Sequence, residues 1–389
     1  MPSRRDALTA AGRLGLAAAV SRLAPAPLLF AQAPAATYGK DHLIRHSTRP
    51  PDYETPVRLL DSFITPAEHF YTRSHMSIPS ADPAAWTLTI GGLVDRPVAL
   101  SLADLRGMPQ ATVTVTLECA GNGRAFFDPP VAGIQWARGA VGTARWTGVR
   151  MADLLARAGV RPAGAFVTMN GGDRPFGTQP DFVRQVPMAK AMHPDTLVAL
   201  EMNGAPIPQV HGFPLRAIIP GWEGAYAVKW LTELSVLDRE FDGFWVQTAY
   251  RYPKRQVAPG TAVPADGMTA LAGLAVKSLI TRPLDGAAFA PGPVDVAGFA
   301  WAGEADIARV DISVDNGATW RPARLTGEQA KYTWRRFEYE FVAREAQSYL
   351  VMARATDSTG AVQPAAPRWN PSGYLWNVPD RVRIEVGPR

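Results

Sequence analysis

Over residues 111–117 apolar and polar residues alternate, with Val113, Val115 and Leu117 on one side and Thr112, Thr114 and Thr116 on the other. A period of two over this length requires a half-buried β-strand. The strand runs directly into the only cysteine of the chain, Cys119, and then into Gly121, Asn122 and Gly123. Such residues serve where the backbone turns with positive φ or passes close to a neighbour. The chain must therefore build a sheet with a thiol at its mouth and Arg124 beyond the turn to hold an anion beside it. A lone cysteine is most simply a small buried hydrophobe, but at the mouth of a sheet its thiolate is also a ligand for a soft metal.

Composition narrows the fold further. The 35 prolines and 34 glycines favour β-structure with many turns over a helical bundle. A length of 389 residues predicts two domains, or one large and one small, and 47% hydrophobic residues supply a sizeable core. One cysteine excludes an internal disulfide framework. No Cys-x-x-Cys-His run occurs, which excludes covalent c-type haem, so no haem is expected in this chain and any electron-transfer haem must come from a partner.

The formal charge is +5, of which residues 1–36 hold +3 (Arg4, Arg5, Arg13 and Arg22 against Asp6), leaving +2 (5 minus 3) for the remainder. No basic run interleaved with aromatics appears, so nothing supports nucleic-acid binding. Paired Arg4-Arg5, a weakly apolar alanine-rich stretch and the small-residue pattern Ala31-Gln32-Ala33 predict a twin-arginine signal peptide over residues 1–36 and hence a periplasmic location. Arg13, Arg22, Pro25 and Pro27 break the stretch, so no membrane span is expected from it.

Beyond the leader, a proline-punctuated arm over residues 37–60 precedes a mixed α/β domain over 61–252. Within that domain the patterns predict strands at 86–90, 215–219 and 234–237, a short helix at 102–106, and an amphipathic helix at 149–158 stopped by Gly159. A Pro/Gly-rich linker is expected over 253–269. Over 270–389, Val310, Ile312 and Val314 alternate up to the hairpin signal Asp315-Asn316-Gly317, with Trp320 beginning the return strand. Phe337, Tyr339 and Phe341 alternate again, as do Val382, Ile384 and Val386. The expected fold class is α+β, a mixed α/β domain followed by an immunoglobulin-like β-sandwich.

The nonapeptide TLECAGNGR at 116–124 resembles the molybdenum-binding loop of the sulfite oxidase family, in which Cys-Ala-Gly-Asn precedes an arginine pair. Here Gly123 replaces the first arginine and Arg124 keeps the second. The resemblance extends from about residue 60 to the C-terminus and includes FYTRSHMSIP at 70–79, GGD at 171–173, HGFPLR at 211–216 and GAYAVKW at 224–230. In the second domain it includes DNGATW at 315–320, VQP at 362–364 and Trp369-Asn370.

The resemblance implies a molybdenum–molybdopterin cofactor, in which a pyranopterin dithiolene holds the metal with Cys119 as its protein ligand. It implies a substrate pocket of Arg73, Arg124, Trp136 and Arg335, the last reaching in from the second domain. It implies cofactor contacts at Ser74, His75, Asp173, His211, Arg216, Ala227, Val228 and Lys229, with the three basic groups around a phosphate and Asp173 accepting from the pterin amino groups. Arg73 and His75, two apart, are expected to point to opposite faces of an extended chain and so to serve substrate and cofactor respectively. The family's active-site tyrosine corresponds here to Phe182, which has no hydroxyl to offer.

The implied activity is oxidation of a small oxyanion, sulfite foremost, with electrons passed singly to a c-type cytochrome or haem subunit. The sandwich is expected to mediate dimerisation, as a homodimer or a heterodimer. Another oxyanion, a reductase direction and oxygen as acceptor stay open as alternatives. A secreted binding module without catalysis would account for the sandwich and leave the cofactor-like loops unexplained.

Overall fold

The computed structural model describes residues 38–387, and the leader expected over 1–36 lies outside them. The alternating stretch that opens the sequence forms the strand Gln110–Glu118. It pairs antiparallel along its whole length with Val141–Arg150, which pairs in turn with Leu197–Met202. Arg216–Ile218 and Ala205–Pro206 complete this five-stranded sheet by pairing with Leu197–Met202.

A second five-stranded sheet has the order Val98–Ser101, Thr87–Gly92, Leu231–Leu237, Phe166–Gly171, Arg184–Pro187, and its one parallel pair joins Thr87–Gly92 to Leu231–Leu237. Leu88, Ile90, Met169 and Leu234 from this sheet pack against Val149, Val198 and Ala217 from the first. Two helices belong to the same core. Leu102–Arg106 starts from a reciprocal capping box between Ser101 and Asp104. Met151–Ala158 buries Met151, Leu154, Leu155 and Ala158 and ends at Gly159 with φ 73°, the left-handed C-terminal cap that glycine adopts without strain.

The sequence pattern starts this second helix at residue 149, whereas Val149 and Arg150 finish the strand Val141–Arg150 by pairing with Val198 and Leu197. Val149 satisfies the apolar face of either element, and the sheet partner decides the matter. The Pro/Gly-rich segment over 253–269 is the connection of a two-stranded ribbon, Arg251–Pro253 against Met268–Ala270, in place of an extended linker.

Residues from 277 onward form two packed antiparallel layers. One runs Lys277–Arg282, Gly292–Trp301, Arg335–Ala343, Arg324–Thr326; the other runs Ala287–Phe289, Asp380–Val386, Ser348–Asp357, Ile307–Ser313, Arg321–Pro322, with a parallel pair at its Ala287–Phe289 edge. The hairpin signal folds as read, with Asn316 at φ 58° and Gly317 at φ 84°. The return strand begins at Arg321, one residue after Trp320. The inward faces of the two layers, among them Val296, Val310, Phe337, Val351 and Ile384, make a separate core. The protein is mostly β with few, short helices, a β-rich domain followed by a β-sandwich.

The joint between the two parts is apolar. Leu60 and Val141 meet Leu279, Phe299, Trp301 and Trp334, all nearly inaccessible. Trp334 stacks on Phe299 with ring centroids 4.3 Å apart and donates its indole N–H to the Phe63 carbonyl. No helix among the described residues is long and apolar enough to cross a membrane.

Candidate active site

Cys119 leaves the strand Gln110–Glu118 with its N–H donated to the Ala140 carbonyl (2.9 Å) while its own carbonyl accepts from Asn122 (2.8 Å). The Asn122 side chain braces the turn, donating to Glu118 (2.9 Å) and accepting from the Ala140 N–H (3.1 Å). Gly123 has φ 96°, and a Cβ there would lie 2.5 Å from the Trp376 ring, so both backbone and packing demand glycine.

Beside this turn is a recess whose empty space, open solvent included, comes to about 660 Å³. Cys119, Arg73, Ser74, His75, Asp173, His211, Arg216, Ala227, Val228 and Lys229 all lie on its wall, together with Tyr71, Thr72, Phe182 and Tyr250. Ten of the thirteen site residues expected from the sequence thus converge. Arg73 and His75 share one cavity and do not point to opposite faces as expected, because side chains two apart in an extended chain share a face.

The electrostatics of the recess are unusual. Lys229 donates to Ser74 Oγ (2.6 Å) and the Val210 carbonyl (3.1 Å). Arg216 donates to the carbonyls of Ala227 (3.2 Å) and His211 (3.0 Å). Neither is within ion-pair distance of a carboxylate among the described residues. Burial, and then the Arg216 charge, press the Lys229 ammonium well below its ordinary range. Burial brings Arg216 down to about 10. His211 is held neutral by burial and by the Lys40 charge, and its Nε2 lies 2.9 Å from Lys40 Nζ. Buried basic groups that make no direct ion pair favour an anion beside them.

Asp173 is raised to about 6 by burial. Thr72 Oγ1, also on the wall, is buried without a partner. Burial pushes the Cys119 thiol up, against the pull of the Arg124 and Arg73 charges. Arg73 reaches the recess with 27% of its side chain exposed and is anchored to Asp52 (3.2 Å) and the Ser74 carbonyl.

Three expected residues are placed elsewhere. Arg124 donates to the carbonyls of Ile134 (2.9 Å) and Ser372 (3.3 Å) and lies over the Tyr374 ring, so its guanidinium is committed behind the cysteine turn. Trp136 is fully buried in the apolar cluster of Phe70, Val115, Leu117 and Trp146. Arg335 is on the sandwich surface, donating to the carbonyls of Gly327 (2.7 Å) and Glu328 (3.0 Å). Its neighbour Trp334 points into the joint, so strand alternation turns Arg335 outward. The adjacent Arg336 is no substitute, since it pairs with Glu338 at 3.0 Å. The second domain instead approaches the site through Ser372 and Tyr374.

Comparison with known proteins matches these features to a family. Residues 75–245 match the model of the oxidoreductase molybdopterin binding domain, and residues 268–387 match the Mo-co oxidoreductase dimerisation domain. Human mitochondrial sulfite oxidase is 38% identical over 371 residues, covering 90% of this chain and 68% of that protein. Chicken sulfite oxidase is 38% identical over 346 residues, covering 85% and 75%. The chain belongs to the sulfite oxidase family of molybdopterin oxidoreductases.

Other family members match over different shares of their length. The alignment spans 65% of the rat mitochondrial sulfite oxidase at 39% identity. The solved structure of the sulfane dehydrogenase SoxCD from Paracoccus pantotrophus superposes with a TM-score of 0.77 at 28% identity, covering 95% of this chain and 98% of that one.

The recess fits the family's molybdenum–pterin cofactor. Among the described residues no group of three or more His, Cys, Asp or Glu side chains is arranged to hold a metal, so a metal at Cys119 would take its other ligands from a cofactor. Arg216 and Lys229, neither of them ion-paired, with neutral His211 beside them, suit a terminal phosphate. The raised Asp173 suits the amino groups of a pterin ring.

Sequence reading missed Tyr250, Arg184, Tyr374 and Lys40. Arg184 is buried over the rings of Tyr226 (4.4 Å) and Tyr250 (4.6 Å) and donates to the Trp245 carbonyl. Lys40, from the N-terminal arm, donates to the carbonyls of Ala67 (2.5 Å) and Phe70 (2.9 Å) beneath His211. A single lysine in a proline-rich arm, or a tyrosine in a polar stretch, carries no local signal of such contacts.

Proposed function

We propose that this protein oxidises sulfite to sulfate in the periplasm and passes the two electrons one at a time to a c-type cytochrome. The balance is sulfite plus water giving sulfate, two protons and two electrons. The reading is carried by one observation: the single cysteine shares a recess with buried Arg216 and Lys229, which bond backbone carbonyls and make no ion pair among the described residues. When bound, the molybdenum–pterin cofactor supplies oxygen-atom transfer and accepts both electrons.

The side chains supply position and field. Arg216, Lys229, His211 and Ser74 hold the phosphate end of the cofactor, and Asp173 its pterin end. Cys119 binds the metal. Arg73, fixed by Asp52, presents a preoriented guanidinium to the dianion at the cysteine end, where fixed charge needs no reorganisation during reaction. His75, kept neutral by burial and the Arg73 charge, contacts the cofactor without adding charge. The twin-arginine leader would export the chain already folded around its cofactor, and the sandwich would pair protomers.

A second reading is favoured by the placement of the arginines. Arg124 and Arg335 are off the cavity wall and Phe182 is on it, so the pocket offers a dianion less than the family pattern implies. The likeness to a sulfane dehydrogenase makes a reduced, less charged sulfur substrate the runner-up. The test is sulfite-dependent reduction of ferricytochrome c by molybdenum-replete protein exported through its own leader. Turnover supports the first reading. Reduction with a sulfane-sulfur compound and none with sulfite replaces it with the second.

A further inference from the structure

The N-terminal arm reaches the Arg216 and Lys229 end of the recess through one buried side chain, Lys40. Its Nζ lies within hydrogen-bond distance of the carbonyls of Ala67 (2.5 Å), Phe70 (2.9 Å) and Glu68 (3.1 Å), and of His211 Nε2 (2.9 Å). The three carbonyls belong to one turn, closed by the Phe70 N–H donating to Pro66 (3.0 Å). That turn runs directly into residues 71–75, which line the recess. His211 is buried on the same wall and meets the Phe70 ring edge-on, with centroids 5.6 Å apart. Among the described residues both hydrogen-bond contacts of its ring fall on Nε2, the second being the Ala67 carbonyl at 3.1 Å. Nδ1 is the nitrogen left to serve a group in the recess.

A neutral imidazole has one N–H, and the partner of one nitrogen decides whether the other bears it. An ammonium has three protons, and the three shortest contacts of Lys40 Nζ are to Ala67, Phe70 and His211 Nε2. A charged Lys40 therefore uses the Nε2 lone pair and leaves the proton on Nδ1. Without that charge, Nε2 has the Ala67 carbonyl for a partner, which takes an N–H, and Nδ1 turns a lone pair on the occupant of the recess. Burial brings Lys40 down to about 7, so an anion beside His211 favours its charged form. Glu68 is the other charge felt at Lys40, and Arg216 and Lys229 are those felt at His211; none of the three bonds the ring.

We propose that Lys40 is a positioning residue for the cofactor: by donating to His211 Nε2 it fixes the tautomer that presents Nδ1–H to the terminal phosphate. The proposal rests on the molybdenum–pterin reading above. An Nδ1 lone pair would repel a phosphate oxygen, whereas Nδ1–H gives it a hydrogen bond strengthened by the anionic acceptor. The two bonds run in series, Lys40 to His211 to phosphate, and polarise one another. The arm thus has a chemical task at the site without touching the cofactor itself. The same ammonium holds the turn that leads to Arg73, so one side chain orders both segments.

The test uses protein exported through its own leader, labelled with nitrogen-15 at histidine, with ring shifts and the rate of pterin release read separately from sulfite turnover. The variants are Lys40→Met, Lys40→Arg, His211→Asn and Lys40→Met/His211→Asn. The asparagine amide offers a donor near the place of Nδ1 and has no tautomer, and its spectrum assigns His211 among the six histidines. The parent should show a protonated Nδ1 at His211. Lys40→Met should move the proton to Nε2 and speed pterin release by about tenfold or more, the scale of a lost hydrogen bond to a charged group. Lys40→Arg should restore much of both, and Lys40→Met should add little in the asparagine background. A protonated Nε2 in the parent overturns the proposal, even where a variant does not fold. So does faster release from Lys40→Met that persists undiminished beside His211→Asn, the mark of a lysine that only holds the turn. Replete parent protein that does not oxidise sulfite overturns the proposed function and leaves the tautomer control in place. Parent protein that incorporates no pterin overturns both.

Discussion

Glu118 tests how the cysteine turn is held. Its carboxylate accepts from Lys277 (2.6 Å) and Asn122 (2.9 Å) on one oxygen and from the Trp301 indole (2.7 Å) on the other. Glu118 is 5% exposed and Trp301 1%, and the Lys277 side chain is 12% exposed. Both partners belong to the sandwich, so this one side chain ties the residue before Cys119 to the second domain. Glu118→Gln keeps the volume and removes the charge, and its amide turns a donor toward another donor. Breaking a buried ion pair costs about 3–5 kcal/mol, and an orphaned indole N–H about 1–3 kcal/mol. Lys277 retains the Asn122 carbonyl at 3.0 Å, which places the pair at the lower end. The terms share one carboxylate and do not add fully, so the expected total is about 3–5 kcal/mol. Urea unfolding with fluorescence and far-UV probes measures it. Glu118→Gln/Lys277→Met should be less destabilised than the sum of the two single variants by about 2 kcal/mol, because no charge is then left unpaired. A single-variant loss under about 1 kcal/mol, or full additivity in the double variant, would refute the reasoning.

Cys119→Ser should abolish molybdenum incorporation, read by elemental analysis, with nearly all turnover lost, because a hydroxyl is a poor, hard replacement for a thiolate; unfolding of the metal-free protein should be nearly unchanged. Glu223 is held protonated in the fold by burial and the Glu118 charge, well above its ordinary 4.5. The folded state therefore binds the extra proton, and the stability it gives below 4.5 is lost as pH rises toward the folded value, at about 1.4 kcal/mol per pH unit. Glu223→Gln should flatten that fall in denaturation series across the window. Lys40 works in the opposite sense: lowered to about 7 from 10.5 by burial, it makes stability rise with pH between those values, and Lys40→Met should remove the rise. Gly123→Ala combines a left-handed backbone (φ 96°) with a Cβ 2.5 Å from Trp376. Calorimetry should find a loss of about 2–4 kcal/mol, from strain and overpacking together.

Local pattern made some elements legible and tertiary contact decided others. The strand Gln110–Glu118 follows from its own alternation, and the glycines after Cys119 from the turn they must make. The helix Met151–Ala158 was legible apart from its start, because Val149 fits a helix face and a strand face equally well. The recess gathers 73–75, 211–216 and 227–229 around Cys119, and a resemblance across the chain located these segments where no periodicity could. Arg335 shows the limit of that method. Its register is set by Trp334, which fills the joint against Phe299, and an alignment of motifs does not carry the direction of a side chain. Tyr250 and Arg184 escaped notice because their partners, His75 and Tyr374 for the one and Tyr226 for the other, lie 42 or more residues away.

The distribution of positive charge separates two tasks that a count of arginines would merge. At one end, Arg216 and Lys229 are buried, make no ion pair among the described residues and are fixed on backbone carbonyls, an arrangement that an anion would stabilise. On the proposed reading that anion is the resident phosphate of the cofactor, held through every turnover. At the cysteine end, Arg73 is already paired with buried Asp52, so its net field is weak and its directional N–H groups matter more than its charge. On the proposed reading, substrate selection there rests on the direction of the Arg73 N–H groups, with Phe182 and His75 on the adjoining wall. Affinity for the substrate should accordingly be more sensitive to Arg73→Lys, which loses the planar fork, than to ionic strength, since screening acts mainly on exposed charge.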